Sequence, residues 1–175
     1  MEVNKIVKKK TLYDYQEEDL NKIFKHLEKL PPGTNILYQL PTGGGKTVVF
    51  SEITRRFIEQ TGKKVMVLTH RIELSKQTSK MLHGFGVANK VINSEVKELY
   101  DQDDYMCFVA MVETLNNRLQ EEKVKINNIG LVIIDEAHYN SFRKLFKYFE
   151  DSTILGVTAT PLSSNINHSF IFCST

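Results

Sequence analysis

Cysteine is scarce in this chain. Cys107 and Cys173 are its only two, too few for a disulfide framework and without the paired spacing of a metal-binding motif. Cys107 lies in an apolar run and reads as a buried thiol. Long hydrophobic runs are missing too, and no segment approaches the ~20 apolar residues of a membrane span. Met1 to Lys10 carries Lys5, Lys8, Lys9 and Lys10 but no apolar core follows, which argues against a secretory signal. It reads as a basic lead-in. An excess of one charge is also lacking: 23 Lys and Arg stand against 21 Asp and Glu, a formal net charge of +2. Composition therefore does not announce a nucleic-acid binder, and any basic surface has to be local. There is no internal repeat and no low-complexity segment. No membrane partner and a reducing, cytoplasmic setting are the expectations. With 41% hydrophobic and 25% charged residues over 175 positions, the chain has the makings of one ordinary globular domain with a real core.

Glycine is not abundant, but three of the nine stand together in Leu40-Pro41-Thr42-Gly43-Gly44-Gly45-Lys46-Thr47. Asn35 to Leu40 reads as a strand and Thr47 to Gln60 as a helix. A bare glycine loop between strand and helix lets backbone N–H groups wrap an anion, while a lysine ammonium, a hydroxyl and the helix dipole add to the attraction. This is the phosphate-binding P-loop arrangement, with Leu40 where the general pattern has a glycine. A bound nucleoside triphosphate is the expectation.

Around it, apolar runs alternate with helical patterns. Asp14 to Leu30 reads as a helix with Asp14 as N-cap and Glu17 three residues on, an apolar stripe of Leu20, Ile23, Phe24, Leu27 and Leu30, and a stop at Pro31-Pro32-Gly33. Gln16 reads as exposed in its first turn. Strands are expected at Lys64–Thr69, weakly at Lys90–Ile92, at Tyr105–Met111, Gly130–Ile134 and Thr153–Thr158. Helices are expected at Glu73–Leu82, Thr114–Glu122 and Ser141–Glu150. Alternation of this kind implies an α/β fold with a mainly parallel central sheet and helices on both faces. Ligands bind at the carboxyl ends of such strands. Pro41 to Thr47, Thr69 to Arg71, Asp135 to His138 and Thr158 to Pro161 all fall there. The tail, residues 162–175, reads as an incomplete segment with no room for a finished element.

Asp135-Glu136 follows an unbroken apolar strand. Adjacent carboxylates there call for a counter-charge, and Mg²⁺ with a triphosphate supplies one. Asp135 would hold the metal and Glu136 would orient and deprotonate an attacking water.

Asp135-Glu136-Ala137-His138, the Pro-Thr-Gly-Gly-Gly-Lys-Thr loop and Val157-Thr158-Ala159-Thr160-Pro161 resemble, in order, the motifs of superfamily 2 DEAH-type helicases. Leu68 to Gln77 resembles that family's motif Ia, Val109 to Leu115 its motif Ic, and Tyr13-Asp14-Tyr15-Gln16 its glutamine element. The branch containing bacterial repair helicases and restriction-enzyme motor subunits is the most similar, and the likeness covers about residues 11–161. It implies a RecA-like ATPase domain over residues 1–161. Thr42, Gly43, Gly44 and Gly45 would cradle the phosphates of ATP. Lys46 would reach the β/γ-phosphates, Thr47 with Asp135 would hold Mg²⁺, and Gln16 would read adenine. Arg71, Gln77 and Thr114 would contact a nucleic-acid backbone, DNA ahead of RNA. Thr158 and Thr160 would couple nucleotide state to that contact, with His138 as a hydrogen-bond partner.

Members of the family use a second, C-terminal RecA-like domain that supplies arginine fingers, and no stretch of these 175 residues reads as one. Weak ATP hydrolysis and no unwinding by this chain on its own are the expectation. The alternative is a nucleotide- or nucleic-acid-binding fragment with no meaningful turnover. A P-loop kinase or small-molecule NTPase would leave the Thr69 and Thr158 clusters without a role.

Overall fold

The computed structural model describes residues 12–39, 45–136 and 140–159 and the strand Ile171–Ser174. In chain order the elements are α1 (Asp14–Lys29), β1 (Asn35–Gln39), α2 (Lys46–Thr61), β2 (Lys64–Thr69), α3 (Ile72–Gly84), β3 (Asn89–Ile92), β4 (Cys107–Met111), α4 (Val112–Gln120), β5 (Ile129–Asp135), β6 (Thr153–Thr158) and β7 (Ile171–Ser174). Short 3₁₀ segments occupy Gln102–Asp104 and Asn140–Tyr148. The strands form one seven-stranded sheet in the order β3-β4-β2-β5-β6-β1-β7, and every pairing is parallel.

Period-two alternation sorts the core into two layers. Ile36, Tyr38, Val65, Val67, Ile133 and Leu155 face α1 and α2, whose Leu20, Ile23, Phe50 and Ile53 are fully buried against them. Leu37, Met66, Leu68, Phe108, Val132 and Ile134 face the opposite way, onto Leu115 of α4 and Phe142 and Leu145 of the second 3₁₀ segment. β2 and β6 are buried at every position, as parallel strands covered on both faces must be.

Three expectations are corrected. Ser141–Glu150 is not an α-helix but part of a 3₁₀ segment: Phe142 and Leu145 are both buried, and a three-residue repeat brings such positions onto one face. The N-cap of α1 is Tyr13, in extended conformation, rather than Asp14, which becomes the first helical residue and places its charge in the first turn. The tail does contain a finished element. β7 pairs with β1 from Ile36↔Ile171 to Gln39↔Ser174, so an apolar run satisfies what would otherwise be an open sheet edge.

Charged side chains fix the amino-terminal edge, away from the loops of interest. Lys64, buried at the start of β2, pairs with Asp103 at 3.2 Å, and Lys90 of β3 with Asp101 at 2.6 Å. Among the described residues no helix is long and apolar enough to cross a membrane. Burial pushes the Cys107 thiol far up, and it is inert packing.

Candidate nucleotide site at the carboxyl edge of the sheet

β1, β6 and β5 are neighbours, and their carboxyl ends are in register. Gln39, the last residue before the glycine loop, pairs with Thr158, and Asp135 pairs with Val157. The sheet itself therefore sets the end of β1, the carboxylate pair and Thr158 side by side. Asp135 is the last residue of β5 and 4% exposed. Thr158 is wholly buried.

Lys46, the first residue of α2, closes the site. Its Nζ lies 2.8 Å from Asp135 Oδ1 and hydrogen-bonds Glu136 Oε1. Burial pushes the Lys46 ammonium toward its neutral form. Hydrogen bonds and charge from Asp135 and Glu136 outweigh that and hold its pKa above the ordinary lysine range. Glu136 sits at φ 59°. A non-glycine residue in the left-handed region costs roughly 1–2 kcal/mol, a strain that turns the chain sharply at the strand end and brings the second carboxylate back to the lysine.

Gln16 is 3% exposed, which corrects the surface placement read from the sequence. The backbone N–H of Tyr13 donates to Gln16 Oε1 at 2.9 Å, closing a capping box at the start of α1. That bond fixes which end of the carboxamide faces inward. A Cβ built on Gly45 would lie 2.6 Å from Gln16 Nε2, so the amide rests against the last glycine of the loop. Gly45 itself is at φ 72° as the N-cap of α2. Tyr13 and Tyr15 stack on each other with ring centroids 5.9 Å apart, and Tyr13 is 69% exposed.

The donor set suits a magnesium nucleotide. Asp135 Oδ1 is buried, with the Lys46 ammonium 2.8 Å away as its counter-charge. Thr47, half-buried in the first turn of α2, supplies a hydroxyl on the same edge. Among the described residues no cluster of three His, Cys, Asp or Glu forms an all-protein cage. Mg²⁺ does not need one, since it is held by one or two protein oxygens, waters and substrate phosphates. Thr42, Gly43, Gly44, His138 and Thr160 lie outside the described residues, as do the basic lead-in and most of the tail.

Two of the residues expected to meet nucleic acid, Arg71 and Thr114, stand on the same edge, one and two strands beyond β5. β2 and β4 are neighbours, with Thr69 opposite Met111, and each leads into a helix. Arg71 is the exposed N-cap of α3, and Thr114 lies half-buried in the first turn of α4, so two helix N-termini sit side by side. Gln77 is exposed on α3. A pair of hydroxyls that the sequence did not flag braces this turn. Thr69 Oγ1 and Ser75 Oγ are buried and hydrogen-bonded to each other at 2.6 Å, and the proton left over by that bond goes to the Arg71 carbonyl, 3.3 Å from Thr69 Oγ1 and 3.4 Å from Ser75 Oγ. A second network also went unread: Glu52 of α2 holds Arg55 and Arg56, and Arg56 crosses to Glu17 of α1 at 2.8 Å. The Glu52 pairs are legible as i,i+3 and i,i+4 spacings, whereas the contact to Glu17 is purely tertiary.

A lysine opening the helix that follows β1, a carboxylate pair two strands away and a parallel sheet between them fit a P-loop NTPase domain of the RecA-like type. Residues 9–163 match the family described as type III restriction enzyme, res subunit, and the chain belongs to that family. It is similar to the helicase-named protein IRC3 of Saccharomyces cerevisiae, at 35% identity over 165 residues, 85% of this chain and 23% of that one. It is also similar to the type I restriction enzyme EcoAI endonuclease subunit of Escherichia coli, at 29% identity over 161 residues, 84% of this chain and 19% of the subunit. The Pyrococcus furiosus Hef helicase domain shares the fold with a TM-score of 0.68 at 21% identity, over 91% of this chain and 38% of that one. The type ISP restriction-modification enzyme LlaGI, solved with a DNA substrate mimic, does so with a TM-score of 0.76 at 17% identity, over 95% of this chain and 20% of that one. The chain spans about a quarter or less of the length of these two curated relatives. Within superfamily 2 it is an N-terminal RecA-like helicase domain.

Proposed function

We propose that this domain binds ATP with Mg²⁺ and hydrolyses it, as the nucleotide half of a motor that moves along nucleic acid. The observation that carries the reading is the Lys46 ammonium bridging Asp135 and Glu136 at the carboxyl edge, directly after the glycine loop. In the nucleotide complex Lys46 exchanges its carboxylate partners for the β/γ-phosphates, and the amides of Thr42 to Gly45 surround them. Thr47 and Asp135 would hold Mg²⁺, which when bound neutralises phosphate charge. Glu136, released from the lysine, orients the attacking water and takes its proton. Gln16 contacts the adenine edge. Thr158, next to Gln39 in the sheet, links the loop to the nucleic-acid edge, with Thr160 and His138 completing that link. Arg71, Gln77 and Thr114 grip the phosphate backbone, with DNA ahead of RNA and no base readout. A relative named as a helicase and a fold shared with a restriction-modification enzyme solved with a DNA substrate mimic support this reading. The setting we infer is cytoplasmic, and the branch that of repair or restriction motors.

Arginine fingers contribute ~10³–10⁵ to the rate of related NTPases, so turnover by the 175-residue chain is expected to be slow. The competing reading, a binding fragment without turnover, is separated by an ATPase assay with and without nucleic acid, using Lys46→Ala as the blank. Stimulated hydrolysis above that blank supports the enzyme. Binding of ATP with no hydrolysis above the blank supports the fragment.

A further inference from the structure

Arg56 has no place in the chemistry above, yet its position is tightly defined. Its Nε donates at 2.9 Å to Oε1 of Glu52, a buried carboxylate that Arg55 also holds through Nη2 at 2.7 Å and Nε at 3.0 Å. With that nitrogen committed within α2, the Nη2 of Arg56 reaches across to α1 and donates to Glu17 Oε1 at 2.8 Å. Glu17 directly follows Gln16, whose carboxamide rests against Gly45. α2 begins at Lys46, so the phosphate-gripping residue and the anchor for the base-reading residue belong to one rigid helix.

We propose that Arg56 is a positioning residue for nucleobase selection. Through Glu17 it holds the first turn of α1 in register with α2, and so holds Gln16 at the loop. This rests on the reading of Gln16 as the adenine contact. The geometry asks for arginine in particular: one planar guanidinium serves carboxylates on two helices, which a lysine point charge does not reproduce. Glu52 fits the role of anchor. Burial pushes its pKa up, but the hydrogen bonds and charge of Arg55 and Arg56 outweigh this and hold it below the usual glutamate range, so it stays ionised.

The test is equilibrium binding of MgATP and MgGTP to the whole chain, carried out for wild type, Gln16→Ala, Glu17→Gln, Arg56→Lys and the double variant Gln16→Ala/Glu17→Gln. Glu17 is 43% exposed at its side chain, so Glu17→Gln removes the negative charge that strengthens the cross-helix bond without burying a new group. Gln16→Ala is expected to abolish most of the ATP preference, by about tenfold, the value of a hydrogen bond with a buried partner. Glu17→Gln and Arg56→Lys are expected to lower the ATP:GTP ratio about two- to fivefold with GTP affinity unchanged, in line with a partly exposed pair. In the Gln16→Ala background Glu17→Gln should change the ratio no further. A merely structural role would weaken both nucleotides together. If Gln16→Ala removes the preference while Glu17→Gln and Arg56→Lys retain it, the positioning role is wrong and the base reading stands. If Gln16→Ala leaves the ratio intact, both are wrong. An equal Glu17→Gln effect in both backgrounds would show that the pair does not act through Gln16, and would also overturn the proposal.

Discussion

Gly45→Ala tests the packing of α1 against the loop without touching any charge. The residue stands at φ 72°, a conformation that costs an L-residue roughly 1–2 kcal/mol. The new methyl would come to 2.6 Å from Gln16 Nε2, closer than a real contact allows. The amide is the far end of a side chain and can move, but moving it breaks the Tyr13 N–H to Gln16 Oε1 bond, worth about 1 kcal/mol. The expected destabilisation is therefore about 2–3 kcal/mol. For a chain of this size each kcal/mol lowers Tm by about 2–4 °C. Thermal melting followed by circular dichroism without nucleotide should show a fall of about 4–12 °C. In a Gln16→Ala background the clash and the capping bond are both absent, so the same substitution should cost only the backbone term. A Gly45→Ala protein melting with wild type, or an equal cost in both backgrounds, would refute the placement of Gln16 against the loop.

The remaining expectations use other parts of the molecule. Glu52 is held below the usual glutamate range, because its arginine partners outweigh its burial. A depressed folded pKa gives stability that is present above the unfolded value and lost as pH falls through the folded one, so the wild type should lose this contribution below about pH 4. Glu52→Gln should be less stable at neutral pH and show a shallower loss on acidification, read from denaturant midpoints across pH; a parallel offset at every pH would argue against the pairing. Thr69→Val removes the hydroxyl shared with Ser75 and Arg71 and should cost about 1–2 kcal/mol of stability. It should also weaken nucleic-acid binding, since Arg71 caps the helix that this pair braces; unchanged affinity would detach Arg71 from the interface. Affinity for nucleic acid should fall steeply with salt, the signature of phosphate contacts. A flat salt response would remove that half of the function.

Much of this was readable from residue order. The strands Lys64–Thr69 and Thr153–Thr158 fall where the apolar runs place them, because strands buried on both faces leave a continuous signal. The site was legible for the same reason: Lys46, Asp135 and Thr158 each follow or end such a strand, and a parallel sheet gathers carboxyl ends on one edge. What failed depended on tertiary contact. Gln16 looked like a surface residue of an amphipathic helix and is buried, with Gly45 at the start of another helix against its amide. The aromatic segment Asn140–Tyr148 had helical length but took 3₁₀ geometry, a choice between two closely related helices that spacing hardly distinguishes. Ile171–Ser174 looked too short to matter, and only the free edge of β1 makes it a strand.

The central claim is that Lys46 and Glu136, paired here with each other, divide binding and hydrolysis between them once ATP enters. The most direct measurement is MgATP affinity set beside single-turnover hydrolysis for wild type, Lys46→Ala and Glu136→Gln. Lys46→Ala should lose binding by at least about tenfold, the loss of a charge-assisted contact. Glu136→Gln should bind at least as tightly as wild type and hydrolyse about a hundredfold more slowly or less, the contribution of a general base. Equal affinity in wild type and Lys46→Ala, or undiminished hydrolysis by Glu136→Gln, would contradict it.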